Sequence, residues 1–210
     1  MLDWIIAPII RRVDRFLRRR QGIFEFETAP LCIMRASIRR FDEPHRWPDG
    51  TVVEAGSPVG ELHFWNERLR GFSIAESGGK LRDRFSFSMR AVYQMLLEDP
   101  RVEGVAGFFA DSWVPAEHNS RALRRTIRRW GFLVDFENDR REFWDELYVR
   151  LLTRTFNPGT PRTTLRRVRI WVSREELLRR YAELGPVTKR QRKTAANIPR
   201  DDAERLAAGG

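Results

Sequence analysis

The sequence predicts a single α+β domain, with helices packed on a mixed or antiparallel sheet. Three observations predict it. Segments with apolar residues at every second position take turns with segments whose apolar residues recur at helical spacing, in β-α-β-α-β order through the middle of the chain. Proline, glycine and aspartate punctuate the joins. The 210 residues, 41% of them hydrophobic and 11% aromatic, suffice for one core of ordinary size.

Residues 1–22 read as a basic amphipathic helix, which either caps the domain's own core or lies on an anionic membrane. Leu2, Ile5, Ile6, Ile9, Ile10, Val13, Phe16 and Leu17 recur at helical spacing, with Arg11, Arg12, Arg15, Arg18 and Arg19 largely on the other side. Pro8 is expected to break this helix or to mark its first turn, since an interior proline costs roughly 3 kcal/mol. Residues 23–183 read as the α+β domain. In "LCIMRASI" the alternate residues Cys32, Met34, Ala36 and Ile38 face a core, which makes Cys32 a buried inert thiol. "PDGTVVEAGSPVGELHFW" reads as turn, strand, turn, strand, with Leu62 and Phe64 on one face and Glu61, His63 and Trp65 on the other.

Next, Leu81, Phe85, Met89, Val92 and Leu96 make a helical stripe that ends at Pro100. "VEGVAGFF" is a strand. "HNSRALRRTIRRWGFLVDF" is an arginine-rich helix, buried through Leu123, Ile127 and Trp130, that ends at Gly131 and returns as a strand. Phe143, Trp144, Leu147, Tyr148, Leu151 and Leu152 mark a further amphipathic helix. "RRVRIWV" sets Val168, Ile170 and Val172 against Arg167, Arg169 and Trp171, and Ser173 to Glu176 forms a capping box for "SREELLRRY". Residues 184–210 carry few large apolar residues and are expected to be mostly a disordered basic tail.

The net charge of +10 comes from arginine, since only Lys80, Lys189 and Lys193 are lysines. A pI near 10.9 attracts nucleic acid, anionic lipid or anionic metabolites. Codon bias also produces arginine excess, so the charge names a sign and not a partner. One cysteine excludes an internal disulfide and a cysteine-based zinc site. No metal is expected, because the spacing of His45, His63 and His118 argues for none. No apolar run reaches spanning length, and the first residues lack the order of a signal peptide, so a cytoplasmic location is expected. Walker loops, Rossmann fingerprints and internal repeats are absent, which removes the chemistries with a strong local signature.

"DGTVVEAGSPVGELHFWNERL", residues 49 to 69, and "IWVSREELLRRY", residues 170 to 181, resemble the YkoP-like family. This is a bacterial group whose members occur alone or attached to polysaccharide deacetylase domains. The resemblance extends from about Ile23 to Tyr181. It implies a fold unit, and its domain company implies an accessory role in cell-envelope polysaccharide metabolism. Asn119, Ala122, Gly131 and Phe132 are similar to the Asn-x-x-Ala…Gly-Phe helix of the GCN5-related N-acetyltransferases, which implies an acetyltransferase-like topology and an acyl-CoA site beside that helix. The chain departs from that pattern. Asn119 to Gly131 is one residue longer than usual, Thr126 stands where a tyrosine acid is often found, and the family's pyrophosphate loop is absent. Gly78, Gly79 and Lys80 lie in the corresponding place before a helix, where backbone N–H groups and a cation could meet a phosphate.

Two site candidates follow. Glu61 and His63 project from the same strand face, so the carboxylate could orient or charge the imidazole, and either could act as a general base. Asn119, Arg124, Arg125 and Arg128, with Gly78, Gly79 and Lys80, are the candidates for holding an anionic cofactor. Arg121, Arg124, Arg125, Arg128 and Arg129 repel one another by a few tenths of a kcal/mol per i,i+4 pair, a cost that an anion would relieve and that solvent can also absorb.

Two readings stand at this point. One is a YkoP-like, acyl-CoA-binding N-acyltransferase of acetyltransferase-like topology, with Glu61 or His63 taking a proton from an amine. The other is a non-catalytic basic module. It would sit on an anionic membrane through residues 1–20, peripheral to the inner membrane, or bind nucleic acid without sequence preference. On the second reading Trp65 and Trp171, alternating with polar residues, would be exposed for stacking on bases.

Overall fold

The computed structural model of the chain describes residues 2–69, 78–115, 125, 127–135, 147, 149–151, 155 and 165–196. In chain order these form α1 (Leu2–Arg20), β1 (Met34–Arg40), β2 (His45–Arg46), β3 (Val52–Val53), β4 (Pro58–Phe64), α2 (Gly78–Glu98), β5 (Gly107–Pro115), β6 (Leu133–Asp135), β7 (Leu165–Ser173), α3 (Arg174–Ala182) and α4 (Lys189–Ala196). Five strands make one mixed sheet in the order β1-β4-β5-β7-β6, and β2 and β3 pair as a separate hairpin. Neighbours in the large sheet are antiparallel except β4 and β5, which run parallel. This is the α+β architecture that the alternating periodicities imply.

The two faces of the sheet have different coverings. On one face Ala36, Leu62, Phe108, Ala110, Ile170 and Val172 meet the α2 stripe of Phe85, Met89 and Val92, together with Leu177 and Tyr181 of α3. On the other face Val59, Phe109 and Trp171 lie under Trp47 and Val53 of the small hairpin. The Trp47 and Trp171 rings stack at 4.1 Å and 3°, and the Trp171 indole N–H donates to Asp49 Oδ2 at 2.9 Å. The "PDG" turn makes this cover possible. Gly50 adopts φ +89°, and the Asp49 carboxylate accepts from the Thr51 N–H at 2.9 Å.

Cys32 is fully buried beside Phe87 and Ala91, and burial pushes its thiol above the ordinary value, so it is inert as expected. The Ser173 cap holds too, its hydroxyl accepting from the Glu176 N–H at 3.3 Å.

Four expectations need correction. Pro8 does not end α1, which runs through it to Arg20. The stop comes at Gly22, with φ +64°, where Gly22 N–H donates to Arg19 O and Ile23 N–H to Arg18 O, the double bond of a Schellman end. Trp65 and Trp171 are buried and offer no stacking surface. Strand β4 ends at Phe64, so the alternation lapses there. Phe64 is left exposed, and Trp65 turns under the guanidinium groups of Arg35 and Arg68, 3.9 and 3.3 Å from its ring centre.

The tail is the third correction. Residues 184–196 are ordered onto the domain: Val187 is buried beside Cys32, Arg90 donates to the Gly185 and Pro186 carbonyls, and Arg192 pairs with Glu27 at 2.8 Å. One apolar anchor and specific carbonyl bonds supply what composition did not suggest. Residues 197–210 lie outside the described residues, as does most of the segment around Phe143 to Leu152. Fourth, Gly78, Gly79 and Lys80 are not a loop before a helix; they are the first turn of α2.

Candidate functional site

The face of the sheet opposite α2 carries a row of polar residues. In the β1–β4 ladder Ser37 stands opposite Glu61 and Arg35 opposite His63, so the period-two pleat brings Arg35, Ser37, Arg39, Glu61 and His63 to one side. The fully buried Ser37 hydroxyl lies 2.9 Å from His63 Nε2 and 3.4 Å from Glu61 Oε2. Glu61 Oε2 also accepts from Arg39 Nε at 2.6 Å and stands 3.5 Å from His63 Nε2. The expected pair of Glu61 and His63 is thus brought together, with Arg39 as the carboxylate's closer partner.

Burial pushes the His63 imidazole below its ordinary value, and the Glu61 carboxylate opposes this without reversing it. A value below the ordinary one favours the neutral ring at pH 7, so of the two roles open to Glu61 the geometry suits orienting the imidazole and not charging it. With a carboxylate beside Nε2, the tautomer protonated there is favoured. Nε2–H donates to Ser37 Oγ, Ser37 O–H donates to Glu61, and Nδ1 keeps the lone pair of a base.

Serine, histidine and glutamate do not form a nucleophile triad in this arrangement. The serine and the carboxylate both address Nε2, whereas a triad needs the acid on the other ring nitrogen. Ser37, shielded from solvent, positions His63.

Strand β5 extends the row. Asp111 accepts from Arg169 Nε at 2.7 Å, from Arg169 Nη2 at 2.8 Å and from Arg167 Nη2 at 2.7 Å. Burial pushes the Asp111 carboxyl up, and the hydrogen bonds from the two arginines outweigh that, leaving it below its ordinary value. The parallel ladder between β4 and β5 holds only two register pairs, Gly60↔Phe108 and Glu61↔Phe109. Past it, on the polar face, the next residue of β4 is His63 and the next of β5 is Asp111. The sheet therefore loses its parallel hydrogen bonding beside the histidine.

The β4–α2–β5 crossover places the first turn of α2, Gly78 to Lys80, at the end of the sheet where β4 and β5 terminate. The first N–H groups of a helix have no acceptor within the helix itself. Trp130 stacks on Phe85 at 3.8 Å, so the arginine helix ends beside the amino-terminal half of α2. Its Ile127 is buried and its Arg125, Arg128 and Arg129 are exposed, as the stripe implied. Arg128 is not gathered with Glu61 and His63. It lines a separate cavity of about 480 Å³ with Asp49, Glu175, Glu176, Arg179 and Arg180, where acids and bases balance. Asn119 and Arg124 lie outside the described residues. Among the described residues no cluster of three His, Cys, Asp or Glu could hold a metal ion.

Ser37, Arg39, Asp111, Arg167 and Arg169 were not among the sequence candidates. The signal was present as alternation in "RASIRR" and "RRVRIWV", but which strands pair, and in which register, is not written in either segment.

The fold and this row of residues define an α+β domain with a polar, part-buried cluster on the face of a mixed sheet opposite α2. A family model described as the YkoP domain matches residues 6–181, and the chain belongs to that family. No curated protein and no solved structure matches it.

Proposed function

We propose that this YkoP domain protein binds an acyl-CoA at the carboxyl ends of β4 and β5 and transfers the acyl group to an amine, with His63 as the general base. The observation that supports the reading best is the two-pair ladder between β4 and β5, ending beside a half-buried histidine whose imidazole is held below its ordinary value. Parallel strands joined by a crossover helix favour ligands at their carboxyl ends. The order of β4, α2, β5, arginine helix and β6 also agrees with the one that the acetyltransferase resemblance implies.

An acyl-CoA supplies an activated thioester carbonyl. The chain's own groups do the rest. The first-turn N–H groups of α2 favour an anion. His63 Nδ1 accepts the proton that the amine loses as its nitrogen bonds to the carbonyl carbon and the C–S bond breaks, the thiolate taking a proton from solvent. Ser37 and Glu61 hold the imidazole in the tautomer that leaves this lone pair available.

The test is thermal unfolding of the full chain with CoA, acetyl-CoA or sulfate, followed by thioester turnover. A ligand at about 100 times its dissociation constant stabilises by roughly 2.7 kcal/mol, a shift of several degrees. A shift with CoA and none with sulfate supports the reading. Equal shifts, or none, together with no turnover across short-chain and long-chain donors, refute it.

A further inference from the structure

Helix α1 carries three of its apolar residues, Ile9, Val13 and Phe16, on the wrong side for a helix that only covers its own domain. Ile9 and Phe16 are 56% and 62% exposed, and Val13, between them, is 39% exposed. At positions i, i+4 and i+7 they form one stripe along the helix. The side next to this stripe is the one that docks. Ile10 is buried, Asp14 is buried and paired with Arg18 at 3.0 Å, and Arg18 reaches Glu67 of the Asn66–Arg68 turn at 3.1 Å. These contacts and the Schellman end at Gly22 set the rotation of the helix, so the stripe cannot turn inward without breaking them.

The flank of the stripe away from the domain is cationic. Arg11, Arg12, Arg15, Arg19 and Arg20 are all exposed, and among the described residues none has an acidic partner. On a helical wheel Arg12, Arg15 and Arg19 lie along one margin of the Ile9–Val13–Phe16 line, and the domain lies along the other. No helix among the described residues is long and apolar enough to cross a membrane.

We infer that α1 is an interfacial helix that seats the domain on an anionic bilayer. The stripe enters the boundary between headgroups and acyl chains, and the arginine margin lies among the lipid phosphates. An exposed apolar line bordered by unpaired cations matches both layers of such a surface. Duplex nucleic acid would use the arginines and leave Ile9 and Phe16 in water. A second copy of the chain would bring the same arginines together.

The experiment is co-sedimentation of the full chain with vesicles of phosphatidylcholine alone or of equimolar phosphatidylcholine and phosphatidylglycerol, at low and high salt. The wild type is expected to sediment with the phosphatidylglycerol vesicles, to stay in solution with the neutral ones, and to be released by salt. The double variant Ile9→Ser/Phe16→Ser weakens binding by about tenfold or more, because removing the stripe removes the inserted area. Its thermal midpoint stays unchanged, since both residues are exposed. The variant Arg12→Gln/Arg19→Gln loses the preference for phosphatidylglycerol.

Three results overturn the inference. One is failure of the wild type to sediment with either vesicle, including the case where it binds duplex DNA instead. Another is vesicle binding that the serine variant retains. The third is a self-associating wild type that the serine variant converts to monomer with vesicle binding unaltered.

Discussion

Ser37 and His63 meet across the β1–β4 ladder, hydroxyl to Nε2 at 2.9 Å, with the serine sealed from solvent and the histidine next to the point where β4 loses its parallel partner. That contact makes the histidine a structural element as well as a chemical one. Its titration is therefore visible in stability.

Burial holds the folded-state value of His63 below the ordinary 6.5. Between those two values the unfolded chain binds more protons than the folded one, so stability rises with pH through that window and falls on acidification below about 6.5. Denaturant unfolding of the wild type is expected to show this loss. His63→Gln, which keeps a polar group of similar size, is expected to flatten the curve there. An equally steep curve in the variant would assign the effect to another group.

Asp111 holds two arginines in place, so Asp111→Asn removes the charge that Arg167 and Arg169 address. Losing one partner of a fully buried pair costs about 3–5 kcal/mol. The site is only part-buried, so about 2 kcal/mol is expected. The carboxylate's contribution is present above the ordinary carboxyl range and lost as pH falls through its depressed folded value. The stability difference between wild type and variant should therefore shrink at low pH, measured by chemical denaturation.

Gly60 pairs with Phe108 at the short parallel ladder, and a Cβ on Gly60 would overlap the Phe108 ring. Gly60→Ala should destabilise by about 1–3 kcal/mol, the usual cost of forcing a packed core apart. Because the clash sits where β4 and β5 still pair, hydrogen exchange should show faster opening of these two strands than of β7.

The Trp47–Trp171 stack ties the small hairpin to the middle of the sheet. Trp47→Ala should cost about 3–5 kcal/mol, as for large aromatic truncations in cores. It should also abolish the near-ultraviolet circular dichroism of the stacked pair. Preserved stability would mean that the hairpin contributes little to holding the sheet's second face.

Much of the fold was legible because alternation and helical spacing are local. Met89 and Val92 are buried where the stripe placed them, and Val168, Ile170 and Val172 point inward as their alternation required. Several of the readings that failed were at element ends. Trp65 follows the last residue of β4, where the pleat no longer dictates sides, and Gly78 opens a helix because nothing local separates a glycine-rich loop from a glycine-rich first turn. Val187 and Arg192 order a segment of unpromising composition through contacts with residues far away in the chain.

The sequence by itself determined the class of fold, the family, the pairing of Glu61 with His63 on one strand face and the amphipathic character of α1. All of these depend on residue type and spacing within one element or on a run of matching residues. Only the tertiary structure decided that Ser37 and Arg39 complete the cluster, that Asp111 and its two arginines extend it, and that α1 turns Ile9 and Phe16 outward. Strand register and helix rotation are set by partners distant along the chain, and no local period encodes which partner an element meets or which of its sides is left to solvent.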